Sequence, residues 1–337
     1  MRKFNMKIKV IVISLFSIFN FSYADVWTLA TDNDLVFHSD DAYTAGMFAS
    51  WVGDEYSKSE ADSFTYLYTS TLKNIFTLLP LIDLENKNLN ASISLSEIVM
   101  TPNDLTQTQA IYDDIPYSGT LGIDFSLFAW DKNQFDEYRI SVGVVGPLSG
   151  AEQLQNLVHK ITGSEEAKGW DNQLGNHFYV NLGYLKGMKN YEYFLNNDTR
   201  FEWFNSMYFD AGNYYIGAGA GSLVRIGQNI PNNFNTPSTL MSTSASNNLN
   251  FTSRKNEFGW AANLGISADL IGYMYLQEAA IDAGYDVERE WGIVSLTASF
   301  ELYYENMRAS LDLFPSRTSS KDDSGSWGRI SFTWYLE

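Results

Sequence analysis

The sequence predicts an all-β fold, a twelve-stranded antiparallel transmembrane β-barrel with a short helix in one extracellular loop. Three observations carry that reading: long period-two alternation, an export signal, and strands of ten or more residues with aromatics at their ends. Aromatic residues make up 15% of the 337, and there is no cysteine. In an exported chain that excludes disulfide staples and zinc-thiolate sites.

The start of the chain reads as a secretory signal peptide over 1–24. Arg2, Lys3, Lys7 and Lys9 form a basic region, Val10 to Phe21 is a short apolar run, and Ala24 ends the segment. The run is too short to span a bilayer as a helix. Its removal takes away four cations and no acids, so the net charge falls from −18 to −22. That balance argues against a nucleic-acid partner.

Residues 25–337 then read as one barrel. In "WGIVSLTASFEL", Val294, Leu296, Ala298, Phe300 and Leu302 share one face, and Ser295, Thr297, Ser299 and Glu301 share the other. "GRISFTWYL" and "TLGIDFSLFAW" alternate in the same way. A soluble sandwich produces this pattern too, but a closed barrel also explains the export signal and leaves no unpaired edge in lipid. Strands are expected near 25–33, 43–53, 89–99, 118–130, 135–146, 175–187, 197–209, 213–226, 258–270, 288–303, 305–314 and 327–336. Twelve is an even number, as single-chain bacterial barrels usually have.

With the N-terminus in the periplasm, the connections 34–42, 100–117 and 147–174 face the cell exterior and gather at one rim. The long polar stretch 227–257 then falls on the periplasmic side, where turns are normally short. Either that connection is unusual or the seventh and eighth strands are miscounted.

One segment breaks the alternation. "AEQLQNLVHKITG", Ala151 to Gly163, has helical spacing, with Ser149 and Glu152 as an expected capping box and Gly163 beyond the C-terminus. Leu154, Leu157, Val158 and Ile161 share one arc; Glu152, Gln155 and His159 lie well away from it. Two readings stand open: an amphipathic cap with a solvated polar face, or a helix anchored by Leu154, Val158 and Ile161 that holds His159 toward a cleft. Histidine is the side chain best matched to general-base work near neutral pH.

"GVVGPLSGAEQLQNLVHKITGSEEAKGW", Gly143 to Trp170, resembles the signature of the outer-membrane lipid A 3′-O-deacylases of the LpxR type. The matching elements are Gly146-Pro147, Gln155-Asn156, His159 and Glu165. Asn33-Asp34 at the end of the first strand, "YTAG" at Tyr43 to Gly46, "TPND" and "DIPYSG" are also similar. The clear matches cover about the first half of the mature chain. The resemblance implies a monomeric, multi-pass outer-membrane barrel with its site facing the outer leaflet. It implies hydrolysis of the ester that holds the 3′ acyloxyacyl chain of lipid A, the substrate being lipopolysaccharide among outer-membrane lipids. It further implies a His general base with Ca²⁺ at the oxyanion, and a site of Asn33, Asp34, Thr44, Gln155, His159 and Glu165. Asn33, Asp34 and Glu165 would be the metal ligands. Oxygen donors of this kind suit Ca²⁺. A family member uses a lysine in the second extracellular loop for substrate choice, and "TPNDLTQTQA" has none, so the preferred lipid A form is left open.

Simpler readings stand beside these. Asn33-Asp34 alone is a common turn, and Thr44 a polar lumen residue. Asp40-Asp41 and Asp113-Asp114 read as solvated loop acids, and His38 and His177 as structural. An outer-membrane phospholipase would pair a strand histidine with a serine two residues on; here those positions are Tyr179 and Asp40. A pore or purely structural barrel explains the strands but not the helix with Gln155 and His159.

Overall fold

The computed structural model describes residues 25–33, 45–56, 63–78, 84, 86–237, 244–250, 257–319 and 326–336. The expected signal segment, Asp34, His38 and Thr44 lie outside them. Twelve strands close on themselves: β1 Val26–Asn33, β2 Ala45–Val52, β3 Asn88–Met100, β4 Ser118–Trp130, β5 Gln134–Val145 and β6 His177–Phe194. They continue as β7 Thr199–Gly212, β8 Tyr215–Gln228, β9 Phe258–Met274, β10 Gly292–Tyr304, β11 Met307–Phe314 and β12 Trp327–Tyr335. Pro315, which has no N–H to donate, interrupts β11, and Ser316–Thr318 carries its pairing with β10 onward. Sequence neighbours pair antiparallel, and β12 pairs with β1, so the sheet has no edge.

Alternation decides which side chains face out. On β9, Leu264, Ile266 and Leu270 are exposed on the outer wall, while Asn263, Ser267 and Asp269 are buried inside. Several inner-face charges are held in pairs, because an unpaired buried charge is costly, while the Asp269 carboxyl accepts a bond from the Tyr208 hydroxyl. Arg139 Nη2 bonds Asp210 at 2.7 Å, and Arg225 Nε bonds Glu202 at 2.7 Å. At the seam, Arg329 grips Asp32 with two bonds of 2.6 and 2.8 Å.

The strand count stands, and the long 229–257 connection is the unusual element. Its described parts, 229–237 and 244–250, fold back into the lumen. Phe234 packs edge-on against Phe135, with ring centroids 5.1 Å apart. Asn233 accepts a 2.8 Å bond from Arg225 of β8, and Ser244 donates at 2.6 Å to Glu137 of β5. Asn248 donates at 3.0 Å to Thr28 of β1 and accepts from Arg308 of β11 at 3.0 Å. The segment therefore ties opposite walls together and fills much of the bore, leaving a cavity of about 120 Å³ beside it.

Three α-helices occur among the described residues: α1 Phe64–Phe76, α2 Ala151–Thr162 and α3 Tyr275–Asp282. We call the rim where odd-numbered strands end the upper rim. There α2 and α3 lie, whereas α1 lies at the lower rim, in a stretch to which the sequence analysis assigns no element. β6 and β9 outrun their expected ends, reaching Phe194 and Met274.

Candidate functional site

Two of the three connections expected to gather at the upper rim, 100–117 and 147–174, are joined to one another; 34–42 lies outside the described residues. Lys168 N donates to Leu105 O at 3.0 Å, Leu174 N to Tyr117 O at 2.9 Å, and Asp286 N to Tyr112 O at 2.7 Å. The β9–β10 connection, which carries α3, thus joins the other two.

At this rim, α2 lies against the outside of the barrel. β3 and β4 pair Leu95 with Ile123, Glu97 with Leu121 and Val99 with Gly119, so these residues share the outward face. Val99 forms a small buried cluster with Tyr117, Ala151, Ala167 and Trp170. Gly119 makes this contact possible, because a Cβ there would collide with the Ala151 side chain and the Ser149 hydroxyl. Ala151, Gln155 and His159, spaced by four, follow one another along the helix at a rise of about 6 Å each.

The expected capping box is absent. The N-cap is Gly150 in the left-handed region, at φ 86°, without a side-chain cap bond. Ser149 belongs to the preceding turn, Pro147–Ser149; its Oγ accepts from Ala151 N at 3.2 Å and bonds Glu97. The C-terminal expectation holds: Gly163, at φ 76°, donates to His159 O at 2.8 Å.

Burial on α2 runs opposite to its hydrophobicity. Leu157 is 55% exposed and Ile161 76%, with Val158 also on the surface, while Gln155 is only 5% exposed. Each reading is corrected in one part: Gln155 on the polar face is buried rather than solvated, and Val158 and Ile161 do not anchor the helix in a core. A helix that packs on a lipid-facing wall has apolar surroundings outside, so its apolar face turns away from the barrel.

The buried polar face is only partly satisfied. Trp170 Nε1 donates to Gln155 Oε1 at 2.8 Å, which fixes the amide and leaves Gln155 Nε2 buried with no acceptor. Asn156 Oδ1 and Glu97 Oε1 are likewise buried without partners. Each such atom costs about 1–3 kcal/mol unless a ligand supplies its bond. His159 Nδ1 meets the backbone carbonyl of Glu165, brought back by the turn at Gly163. A carbonyl only accepts, so Nδ1 carries the hydrogen and the acceptor lone pair is at Nε2.

A family model described as "Outer membrane protein LpxR" matches residues 10–336. The chain belongs to this family. The solved structure of LpxR from Salmonella typhimurium superposes with a TM-score of 0.71 at 16% identity, covering 92% of this chain and 100% of that one. The β domain of the Bordetella autotransporter BrkA is more distant, with a TM-score of 0.40 at 8% identity over 92% of this chain and 98% of that one. No curated protein matches. The LpxR match and the closed barrel place the chain in the outer membrane.

The remaining expected LpxR site residues divide by position. Asn33 ends β1 and pairs with Ala45, which pairs with Val99. It thus shares the outward face with Gly119, three strand spacings or roughly 14 Å away. Glu165 is exposed and reaches His159 through its backbone, not its carboxylate. Among the described residues, no three His, Cys, Asp or Glu side chains converge as a metal cage. The donor chemistry nonetheless suits a hard cation, since the expected ligands are oxygens; two unpartnered buried oxygens at α2 belong to Glu97 and Asn156 instead.

The simpler readings hold for Asp113-Asp114 and His177, while Asp40-Asp41 lie outside the described residues. Bonds from Thr106, then Gln107, hold the Asp104 carboxyl below its ordinary value, and Asp114 accepts from Asn103 N at 2.8 Å. These acids close turns. His177 stacks on Tyr275 at 3.8 Å and meets Asn213 Nδ2 at 3.3 Å. Residues missed from the sequence are Gly119, Glu97 and Trp170; Asn156 enters there only within the Gln155-Asn156 element. Glu97 alone carried a signal, as a lone acid in the outward row of "NASISLSEIVM".

Proposed function

We propose that this outer-membrane barrel is a lipid A 3′-O-deacylase acting as a monomer, with the crevice between α2 and the outer wall as its active site facing the outer leaflet. The observation that carries the reading is the inverted helix, which turns Gln155 and His159 toward the wall and strands a buried amide donor. A pore needs an open lumen, whereas here 229–237 and 244–250 cross it from wall to wall.

In this reading the Glu165 carbonyl holds His159 in the tautomer whose Nε2 accepts a proton from water. The water oxygen attacks the ester carbonyl carbon at the 3′ position of the glucosamine. The imidazolium then returns its proton to the departing 3′ oxygen, releasing a free acid and a hydroxyl. Gln155 Nε2 supplies a bond to a substrate oxygen, and Trp170 keeps that amide from turning. Ca²⁺, when bound, supplies positive charge beside the developing oxyanion. Asn33, Asp34 and Glu165 would hold it; Asp34 and Thr44 lie outside the described residues.

Mass spectrometry of lipid A from cells with and without the protein tests the activity. Loss of the 3′ acyloxyacyl group is expected; loss of acyl chains only from phospholipids, or no change, overturns it. For the metal, a chelator should remove activity and Ca²⁺ restore it, with Asp34→Asn raising the concentration required. Glu165→Gln keeps the carbonyl under His159, so a raised Ca²⁺ requirement in that variant would report its carboxylate alone. Full activity in excess chelator would overturn the calcium role.

A further inference from the structure

α1, at the lower rim, has three faces where an ordinary amphipathic helix has two. Thr65, Thr69, Leu72 and Phe76 are buried against the outer wall, where Leu72 and Phe76 cluster with Leu89, Ala91, Leu127, Ala129 and Tyr138. At about 100° per residue, Phe64, Leu67, Thr71, Ile75 and Leu78 form a second stripe centred roughly 130° from the first. Its four large members are all exposed, Leu78 at 82%. A third stripe of Tyr66, Ser70, Lys73 and Thr77 is polar. Tyr56 lies over it, stacked on Tyr66 at 4.8 Å with Lys73 Nζ 5.5 Å from its ring.

The exposed apolar stripe continues the barrel's lipid-facing surface. The wall residues under α1 are the lowest outward residues of β3 and β4, and Leu95, four positions above Ala91 and roughly 13 Å away, is exposed on the same row. From Leu89 under α1 to Val99 under α2, the outward row of β3 spans about 33 Å, or some 25 Å along the axis at a typical tilt of about 40°. That matches the apolar band of an outer-membrane barrel, so α1 lies at its lower boundary.

We propose that α1 is an interfacial helix whose Phe64–Leu67–Ile75–Leu78 stripe is immersed among the phospholipid acyl chains of the periplasmic leaflet. Its third stripe, with Ser70 and Thr77, faces water. The three faces then meet three surroundings: wall, hydrocarbon and solvent. This holds whether or not the deacylase reading does, since it rests on the barrel and its membrane alone.

The chain has no cysteine, so single-cysteine variants can carry one nitroxide each. Leu67→Cys and Ile75→Cys report the apolar stripe, and Ser70→Cys and Thr77→Cys the polar one. Leu264→Cys marks the lipid band, and Gln107→Cys the aqueous loops. Each full-length labelled barrel is placed in vesicles of phosphatidylethanolamine and phosphatidylglycerol, with folding confirmed by heat-dependent gel mobility. Collision of the label with oxygen and with a water-soluble nickel chelate is then measured. The oxygen-to-nickel ratio at 67 and 75 should approach that at 264 and exceed the ratio at 70 and 77 several-fold. Equal ratios on the two stripes would overturn the proposal. So would spin–spin broadening at 67 that vanishes on dilution with unlabelled protein, because a second copy would then cover the stripe.

Discussion

α1 and α2 pack on the outside of the same strands, β3 and β4, at opposite rims. One buries leucine and phenylalanine, and the other buries glutamine and turns its leucine and isoleucine away. For α1 the contact is its own justification, since a fully buried Leu or Phe side chain contributes about 1.5–3 kcal/mol. The Thr69 hydroxyl is the polar atom it leaves unpaired. For α2 the contact yields little apolar burial and strands polar atoms on Gln155 and Asn156. A helix held in place at a loss needs a glycine to approach the wall and an indole to fix its amide, and it has both. The difference separates a buttress from a site.

The sharpest break in the comparison is His159→Ala. It should lower deacylation by about 10²–10⁴-fold, the range for loss of a general base, with heat-dependent gel mobility unchanged. Retained activity would mean that α2 is a second buttress. Gly119→Val comes next. Its side chain meets Ala151 and Ser149, so α2 must lift, and a displacement of about 1 Å costs on the order of 10²-fold in rate. Unchanged turnover in that variant would detach the helix–wall contact from the chemistry.

Gln155→Leu probes the stranded donor more gently. The loss of one substrate bond predicts a fall of about tenfold in kcat/KM, with Trp170 also deprived of its acceptor. Pairing it with Trp170→Phe in a double-mutant cycle should show coupling, and additive effects would argue against Trp170 as the residue that fixes the amide. The smallest effect on rate belongs to the other helix. Leu72→Ala should cost about 2–5 kcal/mol of stability and lower the unfolding temperature of the barrel, while activity per folded molecule stays the same.

All twelve strands were legible because lumen and lipid impose opposite polarity on successive residues, as Val294 and Ser295 do. The ends of β6 and β9 were not, since beyond the membrane band nothing enforces alternation. The position and C-terminal stop of α2 could be read from its spacing and Gly163. Its orientation could not, because that depends on what lies outside the helix, which spacing does not encode. α1 escaped because three faces on "FTYLYTSTLKNIF" blur the two-sided pattern. The bore-filling role of 229–250 was hidden in asparagines and serines that read as loop and act as lumenal partners for Arg225, Arg308 and Glu137. Of the proposed site, His159 and Gln155 follow from family resemblance and helix spacing. Their partners Trp170 and the Glu165 carbonyl come from chain reversals that no local motif announces.

The bore filled by 229–250 also bears on how many copies a bacterium can carry. An outer membrane is a permeability barrier, and every open barrel added to it raises the leak of small solutes. Here the interior is spanned by Asn233, Phe234, Ser244 and Asn248 from wall to wall. A barrel whose lumen is crossed in this way adds less to that leak than an open one of the same strand number.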